Sequence, residues 1–214
     1  MAKSLGIRKN PVKDERKQAF KDAALKVFSS KGYHNATMAE IAMEAGFGKG
    51  TLYWYWDSKE ELYFSLVEES HNEFVGLMKR AGDIKGNALE KLNWLGKETV
   101  DLHYRHRDYT KLSWKMRAEE LEAFSPEYVE RMRRNSGQIK KELEKIISQG
   151  IEDGLLPPVD PYYLACMVLG LMEGMEIQWL EDPEAFDLRK AMDIVMGLFT
   201  LIEPSLGEVA TKEK

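Results

Sequence analysis

The sequence predicts an all-α protein of about nine helices, an N-terminal three-helix head with a helix-turn-helix followed by a C-terminal helical bundle that dimerises. Three observations predict it. Helix start and stop signals recur along the chain, and no stretch alternates as a half-buried strand would. A short capped helix, a glycine turn and a second short helix stand together within Thr37–Trp56. The last two helical stretches are so apolar that they need cover on nearly every side.

Taken in order, residues 1–13 form a flexible basic arm that ends at Asn10-Pro11. Phe20, Ala23, Ala24, Val27 and Phe28 share one face of a first helix over about Asp14–Ser30, stopped by Gly32. Thr37-x-x-Glu40 has the form of a capping box, and Met38, Ile41, Ala42 and Ala45 then give the apolar stripe of a second helix. Gly46 suits the left-handed residue past its end. The third helix, Lys49 to about Trp56, is polar and aromatic, and only Leu52 and Trp56 look needed for packing. Such a pair is a helix-turn-helix, whose second helix can enter a DNA major groove. Gly50 allows close approach of the backbone to a phosphate. Ser58-x-x-Glu61 opens a fourth helix to about Arg80, and Lys59 at its start marks a phosphate clamp.

Several of these residues together carry a family resemblance. They are Ala19-Phe20, Ala24-Leu25, Val27-Phe28, Lys31-Gly32-Tyr33, Thr37, Ile41-Ala42, Ala45-Gly46, Lys49-Gly50-Thr51-Leu52-Tyr53, Tyr55-Trp56 and Lys59-Glu60-Glu61-Leu62. The segment from about Asp14 to Gly76 resembles the DNA-binding domain of the TetR family of transcriptional regulators, with Lys49–Leu62 the most specific run. Two positions depart from the family pattern. Gly48 stands where a Ser or Thr usually caps the recognition helix, and Trp56 where Phe is commoner. The resemblance implies a dimer, a palindromic operator and a C-terminal pocket for a small, often hydrophobic molecule.

Beyond the linker Ala81–Gly86, Leu89, Leu92, Leu95, Thr99 and Leu102 mark a fifth helix, and Tyr109–Leu121 a sixth. Ser125-Pro126 opens a seventh that ends at Gly150, and Asp160-Pro161 and Asp182-Pro183 open the last two. The domains read as the arm 1–13, a head over 14–80 with its motif at 37–56, and a ligand-binding and dimerisation domain over 81–214. For the dimer seam, Val168, Gly170, Leu171 and Gly174 of the eighth helix face Val195, Leu198, Phe199 and Ile202 of the ninth. For the effector pocket, the large adaptable side chains are Trp94, Tyr104, Trp114, Met116, Met172, Met175 and Trp179.

Composition narrows the function. The formal net charge is −5, yet residues 1–35 hold nine Lys and Arg against three acids, a net of +6 that leaves −11 for the rest. A basic head on an acidic body steers the head toward DNA. One cysteine, Cys166, excludes an internal disulfide and points to a reducing cytoplasm. The amino end shows no signal peptide, and Tyr162–Met172 is too short to span a bilayer, so no membrane partner is expected. His103 and His106 alternate with Arg105 and Arg107, which would repel a metal ion. Glu173 and Glu176 inside the eighth helix serve either a ligand or the dimer interface.

The reading is a dimeric regulator, a repressor released from a palindromic operator by a small hydrophobic effector such as an aromatic or fatty acyl compound. Lys49, Gly50, Thr51, Tyr53, Trp54 and Tyr55 would meet the major groove, with Thr37 and Lys59 on the backbone at either side. The alternative is an effector-independent architectural or cell-cycle DNA-binding protein of the same fold. No nucleophile–base pair, phosphate loop or metal constellation suggests an enzyme, and no cofactor is expected.

Overall fold

The computed structural model describes residues 11–119 and 124–201. Among the described residues run nine helices and no strand: α1 (Pro11–Asn35), α2 (Met38–Glu44), α3 (Lys49–Tyr53), α4 (Lys59–Asp83), α5 (Ala88–Arg105), α6 (Arg107–Glu119), α7 (Pro126–Glu152), α8 (Pro161–Glu181) and α9 (Leu188–Leu201). They form two compact units, the described residues of Met1–Glu69 with Asp108–Phe124 and of Ser70–Arg107 with Ser125–Lys214. None of the helices is long and apolar enough to cross a membrane, among the described residues.

In the first unit Phe20, Ala24 and Phe28 lie on successive turns of α1 and are fully buried. Phe20 is the hub of an aromatic cluster, 5.1 Å from the Phe47 ring, 5.6 Å from Tyr55 and 6.3 Å from Trp56. Helical geometry begins at Pro11, earlier than the sequence suggests, and breaks at Gly32 (φ 74°), where it was expected to stop. The Thr37–Glu40 capping box is complete. Gly46 takes φ 76° while Phe47 N–H returns to the Ala42 carbonyl, which closes α2 as its sequence predicts.

The unit boundaries differ from the linker read at residues 81–86. Tyr63 on α4 donates its hydroxyl hydrogen to the Leu112 carbonyl at 3.3 Å, and Phe124 packs 4.7 Å from Tyr33 and 5.4 Å from Tyr63. These contacts draw α6 into the head unit, so Trp114 does not belong to the second unit's core. The side chain of Met116 lies outside the described residues, as do residues 1–10 of the basic arm.

In the second unit, Leu77 and Met78 of α4, Leu92 and Leu95 of α5, Leu143 and Ile147 of α7 and Ala165 of α8 build one core. A second cluster joins Val100, Met175, Trp179, Leu188 and Met192. Asn87-x-x-Glu90 caps α5 with a full capping box that the sequence reading passed over. Two predicted boundaries move. Helix α7 passes through Gly150 to Glu152, and Gly154 (φ 70°) follows its end. Helix α9 starts at Leu188, because Asp187 accepts from the Arg189 and Lys190 amides, whereas Asp182 closes a local turn on Glu184 and Ala185.

Candidate DNA-binding face and effector cavity

The recognition helix α3 is held from beneath and left open above. Leu52 and Trp56 are buried, and they fix its inner face against α1. Its outer face presents Lys49, Gly50 and Tyr53, and Trp54 is 88% exposed. A tryptophan that exposed gains nothing from the fold and is available to a partner. Lys49 Nζ stands 5.6 Å over the Tyr53 ring, so cation and ring form one surface. Thr51 is half-buried. No side chain caps α3 at Gly48, and a Cβ at Gly48 or Gly50 would meet nothing within 4 Å.

Two residues expected on this face are turned to other work. Tyr55 is half-buried with its ring against Phe20 and Trp56, so it braces α3 from within. Lys59 donates from Nζ to the carbonyls of Tyr33 (2.7 Å), Ala36 (3.0 Å) and His34 (3.3 Å), and sits 4.4 Å over the Tyr33 ring. Its ammonium thus ties the start of α4 to the end of α1 instead of standing open to a phosphate. The hydroxyl of Thr37 is shared within the capping box, accepting from Glu40 N–H at 3.2 Å and donating to Glu40 Oε2 at 2.9 Å.

The positive charge of the head is also partly committed. Lys21 pairs with Glu69 at 2.5 Å, Lys31 with Glu40 at 2.5 Å, and Lys26 with Glu44. Arg16 lies 5.9 Å over Phe47 and Lys17 5.8 Å over Trp56, which puts two cations beside the aromatic cluster that supports α3.

The second unit encloses a cavity of about 40 Å³ among α4, α5, α7, α8 and α9. Among the described residues, five methionines line it, Met78, Met172, Met175, Met192 and Met196, and Thr99 is the one polar side chain in its wall. As it stands, it has room for about one water molecule. Unbranched thioether side chains are the kind that can swing aside to enlarge it. Gly96 keeps the space open, since a Cβ there would meet Met192 Sδ at 2.7 Å.

Of the residues expected in a pocket, Met172 and Met175 line this cavity. Tyr104 and Trp179 pack at a tilt, with ring centroids 5.0 Å apart, in the adjoining cluster, and Trp94 packs against the first core. Sequence reasoning missed Phe74, Gly96 and Thr99, whose role depends on which helices meet. It also separated His103 from Glu176, whose Nε2 and Oε1 stand 2.7 Å apart. Among the described residues no group of three or more His, Cys, Asp or Glu could hold a metal ion.

Several large apolar side chains of α8 and α9 are exposed. Met167 is 69% exposed and Leu198 56%, with Tyr163, Leu171 and Ile194 exposed beside them, and Gly170 and Gly174 are open. Val168, Leu171, Val195 and Phe199, expected in the seam, also line the cavity, and Ile202 lies outside the described residues.

A helix-turn-helix with an outward aromatic and cationic recognition helix, followed by a separate helical unit, is the plan of a DNA-binding transcriptional regulator. Comparison with known proteins agrees. The family description "Bacterial regulatory proteins, tetR family" matches residues 21–66, and "Tetracyclin repressor-like, C-terminal domain" matches residues 85–182. The chain belongs to the TetR family of transcriptional regulators. It is 27% identical over 183 residues to the fatty acid metabolism regulator protein of Bacillus subtilis, covering 83% of this chain and 90% of the relative. Its fold matches FadR from Bacillus subtilis, solved in complex with stearoyl-CoA, at TM-score 0.73 and 24% identity over 86% of this chain and 97% of that one. It also matches AibR, solved with isovaleryl coenzyme A and operator DNA, at TM-score 0.69 and 24% identity over 88% and 98%.

Proposed function

We propose that this chain is a cytoplasmic homodimeric repressor that holds a two-fold symmetric operator and releases it on binding an acyl-coenzyme A. In each protomer Lys49, Gly50, Thr51, Tyr53 and Trp54 enter the major groove, where Tyr53 and Trp54 meet thymine methyls and sugars and Lys49 meets bases or phosphate. Thr37 and Lys59 shape the helix ends that aim α3. The observation that carries the effector half is the cavity, apolar but for Thr99 and lined by five movable methionines. An apolar chain is its complement, and the two relatives solved with acyl thioesters of coenzyme A support that class. The effector favours the conformer with an opened cavity, and release follows to the extent that this conformer binds DNA less well.

The test is selection of bound sequences from random DNA, followed by fluorescence anisotropy on the selected duplex with and without acyl-coenzyme A of several chain lengths. A two-half-site motif and a fall in affinity of about tenfold or more with one chain length support the proposal. A converged motif whose binding no acyl thioester disturbs would leave a DNA-binding protein without this effector.

A further inference from the structure

We infer that His103 and Glu176 select the effector, receiving a neutral donor–acceptor group such as the amide of an acyl-pantetheine and turning away a free carboxylate. This rests on the acyl-effector reading above and adds to it which end group the site accepts. His103 follows the cavity residue Thr99 by one turn on α5, and Glu176 follows the cavity residue Met172 by one turn on α8. The His103 ring also packs 6.4 Å from Phe74, another residue of the cavity wall. The pair therefore adjoins the cavity along three of the helices that line it. Its side chains are only 12% and 13% exposed, and Nε2 lies 2.7 Å from Oε1.

The two side chains are almost out of water, where a polar group costs free energy unless its hydrogen-bonding capacity is met. As a recognition element the pair has a definite chemistry. A secondary amide inserted between the partners accepts Nε2–H through its carbonyl and donates its N–H to the Glu176 carboxylate, so no polar group is left unsatisfied. A free fatty acid would bring a second carboxylate against Glu176 in a poorly solvated place, where like charges strongly disfavour one another. Glu173, half-buried three residues earlier on α8, adds negative charge to the same helix.

The test titrates the full chain with lauroyl-coenzyme A, S-lauroyl-N-acetylcysteamine and laurate, by calorimetry. The second probe carries thioester and amide without a nucleotide. We expect the wild type to bind both thioesters at least about tenfold tighter than laurate, and Glu176→Gln to raise laurate affinity by about tenfold. His103→Phe should weaken both thioesters by about tenfold, since the ring is kept and the donor lost. Equal binding of the three probes to the wild type overturns the inference without needing any variant. So does laurate binding that Glu176→Gln leaves unchanged, with circular dichroism showing a folded variant. If neither thioester binds the wild type, the acyl-effector reading itself falls and takes this inference with it. Binding of lauroyl-coenzyme A with no effect of either substitution overturns the inference alone.

Discussion

Glu40 accepts from the Lys31 ammonium at 2.5 Å and from the backbone and hydroxyl of Thr37, and these partners, Lys31 first, hold its carboxyl below the usual carboxylate range. A folded value below the unfolded one means the contribution is complete above the ordinary value and is lost as pH falls through the folded value. Glu40→Gln should therefore lower the thermal midpoint at pH 7, and the gap to wild type should close below about pH 4. A gap that is constant from pH 7 to pH 3 would show that the charge of Glu40 does not act through this cap. Lys59 yields a second prediction at the same scale. Lys59→Ala should cost about 1–3 kcal/mol of stability, read from denaturant midpoints, because three carbonyls at the end of α1 lose a charged donor. Its effect on DNA binding should leave the salt dependence unchanged, whereas loss of a phosphate contact would reduce that slope by about one. The sequence showed a cation at a helix start, and a phosphate is the usual partner there. The true acceptors lie 23 to 26 residues earlier in the chain, a distance no local pattern reveals.

Two glycines in α7 separate what an element needs from what its neighbours demand. Gly150 was legible as a glycine near a helix end and was read as a terminator, yet it is inside the helix. Its reason is packing, since a Cβ there would stand 2.8 Å from Ala88 Cβ and 2.8 Å from Leu156 Cδ1. Gly137 in the same helix has open space around it. The same substitution should then act with opposite sign. Gly137→Ala should stabilise by about 0.5–1 kcal/mol through helix propensity. Gly150→Ala should destabilise by about 1–3 kcal/mol, because overpacking two helices outweighs that gain. Urea midpoints of both variants check this, and a stabilised Gly150→Ala would mean that Ala88 and Leu156 yield easily. Boundaries set by local chemistry were readable, as at Thr37, Gly46 and Ser58, where Glu61 N–H finds the Ser58 hydroxyl at 3.0 Å. Boundaries where two local signals compete were not. Asp182-Pro183 and Asp187 both offer a cap, and only the second leads into a helix.

At the scale of the whole molecule, the all-helical plan was legible because capping and periodicity are local signals. Which face of α8 and α9 looks inward was not. A helix apolar on nearly every side carries no orientation in its sequence, so Val168, Val195 and Phe199 were grouped with Leu171 and Leu198. Val168, Val195 and Phe199 are half-buried at the cavity, Leu171 lines it and is also exposed, and Tyr163, Met167, Ile194 and Leu198 are exposed, with Gly170 and Gly174 open for close approach. In the proposed homodimer a second copy of the chain would cover these residues, as binding to a two-fold symmetric operator would need. The double substitution Met167→Glu with Leu198→Glu places like charges across that seam without touching the cavity or the head. It should yield a monomer by sedimentation at micromolar concentration. Operator affinity should fall by roughly a hundredfold or more, because each half-site is then bound without the second held nearby. Binding to a single half-site should change by less than about threefold, since Lys49, Tyr53 and Trp54 remain as they were. A variant that stays dimeric would place the interface elsewhere on the chain. A monomer that kept full operator affinity would remove the two-fold symmetric reading of the DNA complex.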